Sequence, residues 1–305
     1  MSKLVLAADI GGTNIRAAVI DKAGHIYDEK HVQAHLSNEK ITEHDVIRIL
    51  ADFFNTFIKN EPLIQAIGIG FPGFFMGNSG ILASSPNLPN LKNFKLAQML
   101  SDSIKLPVTA QNDALCAAVG ELHFGAAKGQ KNLLHITLGT GVGGGLVLNH
   151  RPYTGEAGMA MEFGHLRVCQ DSSARLCGCG GQGCVEAYAS ASAVTSHYFD
   201  LSGIQLSSKD IYKKALQGEL HAINVLENAG HKLGMAIAEA VKLLDIRTVT
   251  ISGGLIGAWS FLHPTIMQSL NNQLIPPMQQ KIHVLPSTLN DQAGLLGAAA
   301  LTRLQ

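Results

Sequence analysis

The chain lacks every feature that would commit it to a charged or lipid partner. Its 23 basic side chains are matched by 23 acidic ones, so no net charge draws it to nucleic acid or to an anionic surface. It carries no basic block, acidic tail or low-complexity tract. No apolar run approaches the roughly 20 residues that a membrane span needs. Met1-Ser2-Lys3 leads straight into a strand-like run, without the pattern of a secretory signal. Cysteine is scarce and odd in number: five residues, three of them too clustered for a disulfide framework. Together these absences point to a cytoplasmic globular protein in a reducing compartment, with small-molecule partners rather than nucleic acid or membrane. At 305 residues the chain has room for one large or two ordinary domains.

The most informative stretch runs from Glu162 to Glu186. Cys177, Cys179 and Cys184 lie close together among glycines, and His165 precedes them by twelve residues. Thiolate sulfur and imidazole nitrogen are the ligands that Zn²⁺ prefers, and a Cys₃His set closes a tetrahedral structural site. Glycine lets so short a loop turn its sulfurs onto one ion. Cys169 is a rival ligand, whereas Cys116 falls in a helical apolar pattern and reads as core. Glu162 and Glu186 bracket the set. They either brace the loop or are presented by it to a polar ligand.

Elsewhere strands and helices alternate. Leu4 to Ala8 and Ala17 to Ile20 read as strands around a Gly11-Gly12-Thr13 turn, with a third strand from Ile26 to Val32. A helix opens at Thr42 or Glu43. The pattern continues with a strand from Ile64 to Gly70, a Gly/Ser/Asn/Pro loop through Pro89, a helix from Leu96 to Ile104, a strand from Val108 to Gln111 and a helix from Asn112 to about His123. Then the opening unit recurs: a strand from Leu133 to Leu138, the turn Gly139-Thr140-Gly141, and a strand from Leu146 to Leu148. Beyond the cysteines, helices are expected over 186–196, 208–217, 222–244, 261–270 and 293–304, with strands over 248–251 and 282–285. This is an α/β chain of two similar halves with mixed sheets.

Several positions carry two readings each. Backbone N–H groups at the two glycine turns can converge on phosphate oxygens, or the turns are ordinary hairpins. Gly139-x-Gly141-x-x-Gly144 matches the dinucleotide fingerprint in form, but a strand rather than a helix follows it, which removes the nicotinamide reading. Asp9, at the end of the first strand, either holds Mg²⁺ against phosphates or shapes its turn. Asn112-Asp113 ends a strand and opens a helix: an N-cap pair, or a carboxylate base where open α/β sheets bind ligands. Asn87, in Pro86-Asn87-Leu88-Pro89, bonds a sugar hydroxyl or only forms the turn.

Taken in order, Asp9-Ile10-Gly11-Gly12-Thr13, Asn112-Asp113-Ala114, Leu138 to Gly145, Glu162-Phe163-Gly164-His165 and Cys177-x-Cys179-Gly180-x-x-Gly183-Cys184-x-Glu186 resemble the ROK family of bacterial sugar kinases and sugar-responsive repressors. The resemblance runs from about residue 4 to about residue 300. It implies an actin/hexokinase-like (RNase H-like) fold: two α/β domains with mixed central sheets facing across a cleft. The expected division is 1–117, completed by a C-terminal helix over 293–305, and 118–292 with the zinc loop. ATP with Mg²⁺ would bind near Asp9, Gly11, Gly12 and Thr13 and near Gly139, Thr140 and Gly141, with Gly253-Gly254 on the adenosine side. The sugar would be held by Asn87, Asn112, Asp113, Glu162, His165 and Glu186, with Asp113 as the base acting on the 6-hydroxyl. His165 would serve both a structural zinc, shared with Cys177, Cys179 and Cys184, and the sugar.

The Ser85-Pro86-Asn87-Leu88-Pro89 and Asn93-Phe94 segments are most similar to the glucokinases of that family. Departures fall at Leu91, Ala157 and Met161. The resemblance therefore implies an ATP-dependent hexose kinase acting on glucose, and a homo-oligomer, dimer or tetramer. N-acetylglucosamine or N-acetylmannosamine is the alternative sugar. A repressor would need a helix-turn-helix domain and a basic face, for which the nine residues up to Asp9 and the balanced charge give no support.

Overall fold

A computed structural model describes residues 4–34, 36, 41–86 and 88–304. The chain divides into two compact units. Unit 1 comprises residues 1–131, 145–160 and 288–305, and unit 2 comprises 132–144 and 161–287.

Unit 1 opens with β1 (Leu4–Ile10), β2 (Asn14–Ile20) and β3 (Ile26–Gln33), followed by α1 (Glu43–Ile58) and β4 (Ile64–Phe71). Three short strands come next: β5 (Phe74–Phe75), β6 (Leu82–Ser84) and β7 (Lys92–Phe94). Then follow α2 (Leu96–Ile104), β8 (Val108–Asn112) and α3 (Asp113–His123). The main sheet has the order β3-β2-β1-β4-β8. Its hairpin strands are antiparallel and β1, β4 and β8 are parallel. β1 is buried and apolar up to Asp9, and β4 is buried and apolar beyond the exposed Gln65, whereas the outer β3 is mostly exposed or half-buried. Helix α1 starts where the sequence placed it. Thr42 and Asp45 form a reciprocal capping box, and Val46, Leu50, Phe54 and Phe57 face the core.

The segment expected as a loop through Pro89 holds a small antiparallel sheet of order β5-β6-β7. Two- and three-residue strands inside a Gly/Ser/Asn/Pro run leave no alternation to detect. The expected boundary at 117 falls inside α3, which packs along the C-terminal helix within unit 1 and keeps residues 118–131 there.

Unit 2 begins with β9 (Leu133–Leu138); the division between units falls within β10 (Val142–Leu148), and β11 (Arg151–Pro152) is counted in unit 1. Unit 2 then continues with α4 (Glu186–Ala189), α5 (Ala191–Ser202), α6 (Ser208–Leu216), α7 (Leu220–Leu244), β12 (Thr248–Ser252), α8 (Trp259–Gln273) and β13 (His283–Pro286). The chain then closes in unit 1 with α9 (Ala293–Leu301). The second sheet has the order β11-β10-β9-β12-β13, a hairpin followed by parallel strands. That is the order of the first sheet, so the echo between the two glycine-turn segments reflects a shared topology. The single helix expected over 186–196 is two. Ser190 adopts an extended conformation and caps α5 by accepting the Ala193 N–H. Strand β10 begins at Val142, earlier than expected, because its glycines hide the strand pattern. Among the described residues no helix is long and apolar enough to cross a membrane.

Candidate functional site

Unit 1 brings its predicted polar residues to the ends of β1 and β8. Gly11 N–H donates to the Asn14 carbonyl at 2.8 Å and closes the first turn, and the Thr13 carbonyl accepts from Ala34 N–H at 2.9 Å. Gly12 lies between them, half-buried. Asp9 faces Arg16 across the hairpin. Burial, then repulsion from Asp113, raise its carboxyl to about 6, against the pull of Arg16. Arg16 is held by Glu29 at 2.7 Å and by the Asp291 carbonyl at 2.6 Å.

Asn112 behaves as an N-cap. Its Oδ1 accepts Leu115 N–H at 3.0 Å, and its Nδ2 donates to the Gly73 carbonyl at 3.1 Å. This leaves Asp113 as the first residue of α3, where the helix N-terminus favours a carboxylate. Its Oδ1 accepts Ala114 N–H at 2.8 Å. The residue is exposed to solvent. Desolvation raises its pKa, against that backbone hydrogen bond. Asn87 lies outside the described residues. Its neighbours Ser85, Leu88 and Leu91 are buried.

Unit 2 carries the second turn and the cysteine loop. Gly139 N–H donates to the Gly141 carbonyl at 3.0 Å and the Gly139 carbonyl accepts from Ala191, while Thr140 is exposed. Beyond β12, Gly253 has φ +95°, and a Cβ there would lie 2.2 Å from the Leu138 carbonyl oxygen. Only glycine lets β12 leave its strand so close to the end of β9. Gly254 follows at the start of a 3₁₀ turn.

Two backbone bridges, Arg167–Cys184 and Leu176–Gln182, frame the cysteine loop. The ligand atoms of His165, Cys177, Cys179 and Cys184 all lie within 4.8 Å of one another. Cys179 and Cys184 sulfurs are 3.7 Å apart, as are Cys177 Sγ and His165 Nδ1. Tetrahedral zinc places such atoms about 3.5–3.8 Å apart, so the donor set fits that ion. Burial pushes the Cys177 and Cys184 thiols up. Cys169 is outside the group and turns instead to Asp171. Cys116 is buried in the core, as its pattern indicated.

Glu162 precedes the 3₁₀ turn that carries His165, and its Oε2 lies 3.6 Å from His165 Nε2. It is exposed, yet desolvation raises its pKa, with Glu186 adding to the effect and His165 opposing it. Glu186 starts α4. Its Oε2 accepts Val142 N–H at 3.0 Å, and its Oε1 lies 3.5 Å from Cys177 Sγ.

Two features had no sequence signal. One is this Glu186–Val142 bond. The other is a buried polar knot of His135, whose Nδ1 lies 2.8 Å from Thr250 Oγ1 and whose Nε2 lies 3.0 Å from Ser252 Oγ, with Thr137 beside it. It ties together the strand ends that lead into the Gly139 and Gly253 turns.

The profile of the ROK family matches residues 5–305. A glucokinase from Halalkalibacterium halodurans is 32% identical, over 98% of this chain and 95% of its own. An N-acetyl-D-glucosamine kinase from Haemophilus influenzae is 29% identical, over 96% and 97%. The crystal structure of a ROK family glucokinase from Streptomyces griseus, in complex with glucose and AMPPNP, superposes with a TM-score of 0.82 at 30% identity, covering 99% of this chain and 100% of that one.

Proposed function

The chain belongs to the ROK family and has an actin/hexokinase-like fold, and from that premise we propose that it is an ATP-dependent hexose 6-kinase whose sugar is glucose. The observation that carries this reading is the placement of Asp113: an exposed residue just beyond β8, its carboxyl anchored by Ala114 N–H and its pKa raised by desolvation. In the proposed reaction Asp113 takes the proton of the sugar 6-hydroxyl. The hydroxyl oxygen bonds the γ-phosphorus as the bridge to the β-phosphate breaks, and ADP leaves. Such a transfer needs positioning and charge stabilisation more than covalent chemistry.

Asn87, Asn112, Glu162, His165 and Glu186 are the proposed sugar contacts. The glycine turns at 11–13 and 139–141 take the phosphates, and Gly253-Gly254 takes the adenosine side. Asp9 is the proposed protein ligand for Mg²⁺: it and Asp113 repel one another, and a cation relieves that repulsion. The ion would neutralise phosphate charge when bound. Zinc on His165, Cys177, Cys179 and Cys184 would be structural, with all four positions taken by protein. His165 Nδ1 faces the sulfurs, which leaves Nε2 on the Glu162 side.

The second reading is an N-acetylhexosamine kinase, supported by the Haemophilus influenzae relative. A coupled ADP assay over glucose, N-acetylglucosamine and N-acetylmannosamine tests both. Glucose is expected to give the highest kcat/KM, and Asp113→Asn to lower kcat by about 10²–10⁴ while AMPPNP still binds. A hexose that binds without any ATP turnover would refute the kinase reading and favour a sugar-responsive regulator.

A further inference from the structure

Glu186 joins two parts of unit 2 that the proposed function treats separately. Its carboxylate is one of the proposed sugar contacts, and its Oε2 also accepts the backbone N–H of Val142, the first residue after the Gly139–Gly141 turn. The approach is close: a Cβ on Gly141 would lie 2.5 Å from the same oxygen. A negative charge therefore sits against a turn proposed to receive phosphate, and it occupies one of the backbone donors there.

We infer that Glu186 is a positioning residue shared between the sugar subsite and the phosphate turn, and that it makes hexose and nucleotide binding cooperative. Without sugar, the carboxylate blocks the Val142 donor and repels the phosphates. A sugar that draws the carboxylate onto its hydroxyls frees the N–H and removes the charge from the turn. By linkage the effect is reciprocal: nucleotide on the turn releases Glu186 to the sugar and tightens hexose binding by the same factor. A kinase built this way holds ATP weakly until its acceptor is present, which limits transfer to water. This inference rests on the kinase reading of the two subsites.

The test is calorimetric titration of the purified full chain with Mg²⁺–AMPPNP, with and without saturating glucose. Wild type is expected to bind AMPPNP more tightly with glucose. Glu186→Ala is expected to bind AMPPNP more tightly than wild type in the absence of any sugar, on the order of tenfold, since a charge-assisted hydrogen bond no longer competes. A residue serving only the sugar would leave that sugar-free Kd unchanged. Glu186→Gln keeps an acceptor oxygen without the charge and should fall between the two. It also serves if the alanine variant folds poorly. If wild type phosphorylates glucose but both variants bind AMPPNP as wild type does without sugar, the inference fails and the kinase reading stands. A wild-type chain that binds no AMPPNP overturns both.

Discussion

Replacing His135 should remove part of the protein's sensitivity to acid. His135 is fully buried in the second sheet, and desolvation lowers its pKa from the ordinary value of 6.5 to about 3. The imidazole is therefore neutral in the fold, sharing hydrogen bonds with Thr250 and Ser252. In the unfolded chain it titrates normally. Between pH 6.5 and about 3 the unfolded state binds a proton that the folded state refuses, so stability falls as pH falls through that window. Each pH unit inside the window is worth about 1.4 kcal/mol. From pH 7 to pH 5 the single residue should cost about 2 kcal/mol.

His135→Asn keeps a partner for Thr250, and Ser252 can turn to Thr137, whose hydroxyl is 3.3 Å away. The variant should be less stable at pH 7 by about 1–3 kcal/mol, from lost packing and a lost hydrogen bond. Its stability should nevertheless fall less steeply. Urea unfolding at pH 7 and pH 5 gives the comparison, in which all other titrating groups cancel. If wild type and variant lose the same stability between the two pH values, the imidazole is not held neutral in the core and the reasoning is wrong.

Phosphotransfer should weaken in acid for a different reason. Asp9 has a carboxyl raised to about 6, and its proposed role requires the ionised form, so kcat/KM for ATP should drop about tenfold per pH unit below that value. A pH-independent rate between 5 and 7 would exclude Asp9 from the reaction as an ionised group. The purified chain should carry about one zinc, as a single Cys₃His site requires, and a chelator or Cys179→Ala should lower the melting temperature. Elemental analysis that finds no zinc, with Cys179→Ala as stable as wild type, would remove the metal.

What the sequence revealed divides along physical lines. Regular elements with full periods were legible: α1 from its apolar spacing, β1 and β4 from their largely apolar runs. The four candidate metal ligands were legible because closely spaced cysteines among glycines have few other uses, and the structure gathers those four and leaves Cys169 aside. Elements that break their own period were not legible. Strands β5 to β7 are too short to alternate, β10 begins in glycines, and Ser190 splits one expected helix with a single extended residue. The expected boundary at 117 was drawn through α3 because nothing local shows which unit a helix will pack in.

The polar groups follow the same division, and this bears on function. Residues at turns and caps declare themselves by type, as Asp9, Asn112 and Asp113 do. His135 and Glu186 act through partners more than forty residues away in the chain, and pairings of that range leave no local pattern. Both bear on the turns proposed for the nucleotide, His135 from within the sheet and Glu186 from the cysteine loop. Met161 belongs with them. It holds φ +72°, a left-handed backbone that costs a branchless but bulky side chain about 1–2 kcal/mol, immediately before Glu162. Its carbonyl and its terminal methyl both lie against Gly144 on β10. The strain is thus spent where the cysteine loop meets the strand that leaves the phosphate turn, the same junction that Glu186 spans. Under the proposed function, the sugar contacts and the phosphate turn that unit 2 contributes therefore belong to one packed region, Gly139–Val142 against Met161–Glu186, and a change in either should be felt by the other.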